Sequence, residues 1–124
     1  MTIWTSDELN KIGKAEELQI ASLRSDGTLR KPVTIWVVRL GDDLYVRSVN
    51  GRNSAWFRDV QTRNEGYIRA GGVGKEVTFV EEPDSGINDQ IDAAYVAKYR
   101  RYASIAKSMA TSAVRAATIK LMPR

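Results

Sequence analysis

Apolar and polar positions alternate along this chain in short runs, separated by turn residues and framed by stretches of helical period. Thr5 and Glu8 have the spacing of a capping box, with apolar Ile3 and Trp4 ahead of it, which predicts a short helix ending near Ile12 and Gly13 and plugging one end of a barrel. Glu17 to Arg24 reads as a strand, Ser25-Asp26-Gly27-Thr28 as a tight turn, and Leu29 to Leu40 as one long strand in which Pro32 marks a start, a bulge or an edge. Ala55 to Arg63 has the pattern of a short helix capped by Asn53 or Ser54. Glu65 to Ala70 and Glu76 to Glu82 read as two more strands joined through Gly71-Gly72-Val73-Gly74. Beyond Pro83 an amphipathic helix is expected over Asn88 to Tyr102, then a helical stretch over Ile105 to Val114 and a last strand over Thr118 to Met122. These elements predict a single α+β domain over residues 1–124, mainly β, built on an antiparallel barrel of six strands with flanking helices.

The strand pair around Gly41-Asp42-Asp43 carries more information than the rest. A three-residue loop pairs Leu40 with Leu44, Val38 with Val46 and Trp36 with Ser48, and this register is preferred over a two-residue loop because it gathers apolar residues on one face. The other face then holds Val33, Ile35, Val37, Arg39, Tyr45, Arg47 and Val49. Both faces of the run VTIWVV are therefore apolar, and a barrel interior covers only one. The second cover is one of three things: the chain's own helices, a partner subunit or a flat aromatic ligand.

Composition narrows the chemistry. The 124 residues include no cysteine and no histidine, which excludes disulfides, thiolate nucleophiles, Ser-His-Asp machinery and the commonest transition-metal ligands. No metal site is expected. Acid–base chemistry is left to Tyr, Lys, Asp, Glu or a bound cofactor. The segment from Met1 to Lys14 has neither a basic start nor an apolar core of the signal type, and no stretch approaches a membrane span, so a cytoplasmic location is expected. The net charge of +4 resides between Arg24 and Arg69, where nine basic residues face five acidic ones. A local excess of arginine suits an anionic ligand, since a guanidinium matches two oxygens at once.

That excess centres on Arg47-Ser48-Val49-Asn50-Gly51-Arg52-Asn53-Ser54-Ala55-Trp56. A strand delivers Arg47 and Ser48, a loop adds Arg52, and Ser54 opens a helix whose free N–H groups favour an anion, so the stretch has the make-up of a phosphate seat. Read blandly, Asn50-Gly51 is a turn and Ser54 a cap. On the helix over 88–102, Ile91, Tyr95, Tyr99 and Tyr102 share one stripe, and helical aromatic stripes are mostly core; a buried phenol nevertheless needs a partner, which leaves room for one to meet a ligand.

The order of elements resembles the flavin-binding split-barrel superfamily of pyridoxamine phosphate oxidases and deazaflavin-dependent nitroreductases, closest to a small bacterial family of unknown function. RSDGTLRKPVTIWVV is similar to its first hairpin, LYVRS to its third strand, and NGRNSAWFRDV to the loop and Trp-containing helix of the nitroreductase branch. The resemblance implies a six-stranded split barrel and a homodimer with a cofactor on the outer face at or near the subunit interface. By position it implies Val33, Thr34, Ile35 and Trp36 around an isoalloxazine ring, Lys31 at its pyrimidine edge, Arg47, Ser48, Arg52 and Ser54 on phosphate, and Trp56 among the cofactor-binding residues. Many flavin-binding members carry a lysine in the loop after the third strand where this chain has Ser54 and Arg52, so a deazaflavin, or no cofactor, stands beside flavin mononucleotide (FMN). The leading expectation is a flavin- or deazaflavin-dependent oxidoreductase, with Tyr45, Tyr95 and Tyr99 as candidate proton donors. The alternative is a cofactor-free protein binding a small anionic molecule. Nucleic-acid binding through Trp36, Trp56 and Tyr45 ranks last, because a charge of +4 falls short of a basic stripe.

Overall fold

The first hairpin forms around Asp26, whose carboxylate accepts from the backbone N–H (3.0 Å) and hydroxyl (2.7 Å) of Thr28 while Gly27 adopts φ +89°. A short acceptor followed by glycine is the chemistry such a reversal requires. The computed structural model describes residues 3–124 and flanks this turn with β1 (Leu18–Ser22) and β2 (Val33–Ile35), paired antiparallel with Ile20 opposite Val33. Pro32 sits just ahead of β2, where its missing N–H costs no ladder bond.

The ribbon does not run on to Leu40 as a single strand. It breaks at Trp36, and Val37–Leu40 forms a separate strand, β3, which pairs with β4 (Asp43–Arg47). With β5 (Glu65–Ala70), β6 (Val73–Glu81) and β7 (Thr118–Pro123) the sheet has seven strands rather than six, all antiparallel, in the order β2-β1-β5-β6-β7-β4-β3. The two edge strands are thus successive in sequence, and the sheet curls into a nearly closed split barrel with its seam at Trp36. At the break, backbone groups are satisfied by a helix instead of a strand: the Val37 N–H donates to the Tyr99 hydroxyl (3.2 Å) and the Val37 carbonyl accepts from Lys98 Nζ (2.6 Å).

The β3–β4 loop has two residues, Gly41 and Asp42, and sets Val37 against Val46, Val38 against Tyr45 and Arg39 against Leu44. This corrects the three-residue loop. A slip of one residue exchanges the faces, so Val37 joins Leu44 and Val46 inside the barrel while Val38 and Leu40 lie outside with Tyr45. Arg39, on the interior side, reaches Asn10 of α1 with Nη1 (2.8 Å).

Helix α1 (Ser6–Lys14) carries both halves of the Thr5–Glu8 capping box and sends Leu9 and Ile12 into the barrel core with Trp4, Leu18, Val77 and Leu121. Helix α2 (Ala55–Thr62) is capped by Ser54, not Asn53. Helix α3 (Ser85–Lys98), capped by Asp84, begins three residues earlier than expected and passes through a 3-10 turn at 100–102 into α4 (Ala103–Ser108). The helix expected over 105–114 is broken at 109–111 and resumes as α5 (Ser112–Arg115). The break has a tertiary cause: the Met109 carbonyl accepts from Arg47 Nη1 (2.8 Å). A second apolar layer, Val38 and Tyr45 against Ile91, Tyr95, Tyr99 and Met109, fixes these helices on the outer face of β3 and β4.

Candidate functional site: a groove beside the break at Trp36

The chain's own helices cover the outer face of β3 and β4, but not that of β2. Beside β2 lies a groove of about 450 Å³, within the range of small-molecule sites. Val33, Thr34, Ile35 and Trp36 form one wall, Val49, Asn50 and Trp56 a second, and Ile105 and Met109 from the end of α4 a third, with Arg47 beneath. Val33, Val49 and Ile105 are 36%, 54% and 48% exposed, so three large aliphatic side chains converge on one open surface. Grouped exposure of this kind marks a site for a ligand or a partner surface. Because β2 pairs only with β1, its outer edge also offers unpaired backbone groups.

The groove brings together six of the expected site residues, Val33, Thr34, Ile35, Trp36, Arg47 and Trp56. It does not assemble the expected phosphate clamp. Arg47 is 1% exposed, and its donors are committed inward: Nε to the Thr118 hydroxyl (2.9 Å), Nη1 to the Asp92 carboxylate (2.5 Å) and the Met109 carbonyl, Nη2 to the side-chain oxygen (2.8 Å) and carbonyl of Asn88. Asp92 in turn holds Arg115 (2.5 Å). Arg47 is therefore the hub joining β4, β7 and the three C-terminal helices. Arg52 points elsewhere, to Glu81 (2.6 Å) and the Ala116 carbonyl (2.8 Å), and lowers the Glu81 pKa by that hydrogen bond. Ser48 is fully buried with its hydroxyl on Ser54 (2.7 Å), and Ser54 caps α2. Lys31 lies in a small notch on the far side of Val33 and Trp56.

The three tyrosines are core groups, and none lines the groove. Burial pushes Tyr45 and Tyr99 up to about 12 and raises Tyr95 further, which keeps all three neutral. Tyr99 stacks flat on Trp36, with centroids 3.8 Å apart and planes 1° from parallel, and its hydroxyl donates to the Glu16 carbonyl (2.7 Å). Tyr95 reaches the Trp36 carbonyl (3.4 Å). Their role is to hold Trp36 where it borders the groove. Val49, Asn50, Ile105 and Met109 were not anticipated as lining residues, since no periodicity relates a loop after β4 to the end of α4. Asn88 and Asp92 did carry a signal: two polar residues four apart on a helix face otherwise turned to the core.

Lys98, lodged over the Tyr99 ring (5.1 Å), is lowered by burial to about 8 against the opposing pull of Glu16. An unfolded chain keeps that proton to about pH 10.4, so between the two values unfolding takes up a proton and stability rises with pH. The tyrosines act in the opposite sense, but only above about pH 10. The urea midpoint is expected to climb between about pH 8 and about pH 9.5 relative to that of a Lys98→Met variant. Parallel pH curves for the two proteins would refute the lowered value.

Among the described residues, no group of three His, Cys, Asp or Glu side chains is placed to hold a metal ion, and no helix is long and apolar enough to cross a membrane. The seven antiparallel strands, with an apolar groove at the seam, form a split-barrel fold shared with solved structures. Within it, residues 8–121 match the family described as "Uncharacterized protein conserved in bacteria (DUF2255)", and the chain belongs to that family. No curated protein matches it in sequence. Among solved structures, Campylobacter jejuni ChuZ superposes with a TM-score of 0.71 at 16% identity over 95% of this chain. The match covers 52% of ChuZ, so the chain spans about half that protein's length. A FAD-binding protein from Mesorhizobium loti gives 0.58 at 17% identity, covering 99% of this chain and 92% of its own. An F420-H2 dependent reductase, FDR-A, gives 0.62 at 13% identity, covering 86% and 93%.

Proposed function

We propose that this protein is an oxidoreductase that binds a flat flavin-type cofactor, FMN or a deazaflavin, in the groove and works as a homodimer whose second copy closes the open side. The observation that carries the reading is the convergence of Val33, Val49 and Ile105, all exposed, beside the indoles of Trp36 and Trp56. The donor set fits such a group. Aliphatic and aromatic walls suit a conjugated ring, while the Thr34 hydroxyl and the free edge of β2 suit the heteroatoms of its rim. Lys31 is the cation nearest in sequence to that rim. When bound, the cofactor supplies the electron chemistry, which accords with a chain that has no histidine or cysteine of its own. The protein's part is to bind, orient and exclude water: Val33 and Ile35 support one ring face, and Trp36, fixed by Tyr99, sets the end of the slot. The FAD-binding protein and the F420-H2 dependent reductase of the same fold support this reading. An acceptor of the quinone or nitroaromatic type is the substrate class that goes with this proposal.

The test is reconstitution. Adding FMN or F420 to the purified chain is expected to quench tryptophan fluorescence and perturb the cofactor's visible spectrum, and Trp36→Ala should weaken both effects. Unchanged spectra with each cofactor would end the proposal. Lys31, beside Val33 and Trp56, leaves one other reading, a cofactor-free protein that binds a small anion. Under it, anionic metabolites but not flavins would raise the melting temperature, a ligand at 100 times its Kd adding about 2.7 kcal/mol of stability.

A further inference from the structure

Between the β1–β2 ribbon and α2 lies a notch of about 90 Å³ that shares Val33 and Trp56 with the groove and is lined also by Ser22, Arg30, Lys31 and Asp59. Arg30 Nε is buried and no protein group accepts its hydrogen, alone among buried side-chain nitrogens and oxygens of the described residues. Its guanidinium has one acidic neighbour, Asp59, at 3.7 Å, well beyond the roughly 2.7–2.9 Å of a charge-assisted hydrogen bond. Two cations thus face one loosely held carboxylate. A buried guanidinium N–H without an acceptor is unfavourable, and an anion would supply the acceptor.

We propose that this notch is an anion subsite of the groove, seating the phosphate ester or carboxylate of the flat ligand, with Arg30 donating from Nε and Lys31 flanking as a point charge. The proposal rests on the groove reading to the extent that ring and anion belong to one molecule. Its size agrees: the notch has room for a group of several heavy atoms, as a phosphoryl or carboxylate requires. Its position agrees as well, because Val33 and Trp56 border both spaces, so a ligand tail passes between them without leaving the protein surface. The arginine excess read from the sequence then has a binding role at Arg30, while Arg47 and Arg52 serve the fold.

FMN and riboflavin differ only in the phosphate and so separate the two ideas. Fluorescence titration of the full chain is expected to show FMN bound more tightly than riboflavin by roughly tenfold or more, with Arg30→Gln abolishing the difference and leaving riboflavin unchanged. Arg30→Lys, the variant to use should Arg30→Gln fail to fold, loses most of the preference, because lysine carries a methylene where Nε stands and cannot donate there. An FMN-to-riboflavin ratio that survives either substitution overturns the subsite. If neither flavin nor F420 binds, the groove reading falls and inorganic phosphate decides. A thermal shift with phosphate that Arg30→Gln removes keeps the subsite; no shift, or an equal one, overturns it.

Discussion

Asp92→Ala is expected to destabilise the fold by about 3 kcal/mol or more, read as a fall in the urea midpoint at unchanged slope. The size follows from what is left behind. Arg47 is fully buried and charged, and Asp92 supplies its one anionic partner; the Thr118 hydroxyl, the Asn88 oxygens and the Met109 carbonyl are neutral acceptors. Removing one member of a buried pair strands the other in a medium that solvates it poorly. Asp92 also steadies Arg115, whose pKa its neighbours Asp89 and Asp92 raise through hydrogen bonds, so α3 and α5 lose a shared tie in the same substitution. A double variant, Arg47→Met with Asp92→Leu, should recover much of the loss, because an apolar pair of similar volume carries no desolvation penalty. A loss below about 1 kcal/mol for Asp92→Ala would class the pair with surface ion pairs and remove Arg47 from the core argument.

Gly66→Ala should do still more damage. Gly66 lies in β5, flanked by β1 and β6, and a methyl group there would stand 2.1 Å from the Ala21 carbonyl oxygen and 2.8 Å from the Phe79 ring. The carbonyl is backbone within a paired ladder and cannot turn aside. Relief would require β1 and β5 to separate in the middle of the sheet, at a cost of more than about 4 kcal/mol, in the exceptional tail of single substitutions. Circular dichroism and soluble yield are the measurements, with a Phe79→Leu background as the second arm. If the clash with the ring dominated, that background would rescue Gly66→Ala; because the carbonyl dominates, little rescue is expected. A native-like midpoint for Gly66→Ala alone would show that the β1–β5 ladder yields more easily than this geometry allows.

Wherever local chemistry decides structure, the sequence was readable. The Thr5–Glu8 box, the Asp26-Gly27 turn, the Ser54 cap and the alternation over 65–70 each act within a few residues and appear as expected. The break at Trp36 was not readable, because VTIWVV is apolar at every position and alternation cannot mark where a ribbon changes neighbours. The two-residue loop escaped for a related cause: either register places aliphatic residues opposite one another, and only the packing of Val37 inside and Val38 outside separates them. The apolar character of the run was legible, and the structure divides it between the barrel core, which holds Val37 and meets Ile35, and the outer layer, which holds Val38. The role of Arg47 was not legible, since its partners come from 41 to 71 residues away in sequence. Composition near a loop suggested a clamp; tertiary contacts turned the same guanidinium into an internal brace.

The closing of the barrel between β2 and β3 has one more implication. No rung of interstrand bonding spans that junction: the covalent chain crosses it at a single indole, and Tyr99 bridges it through Val37 and the Glu16 carbonyl. Widening the gap there forfeits no pairing, while each of the five inner strands is gripped on both sides. Compliance is thus concentrated at the one place where the wall meets the groove, on an otherwise stiff scaffold.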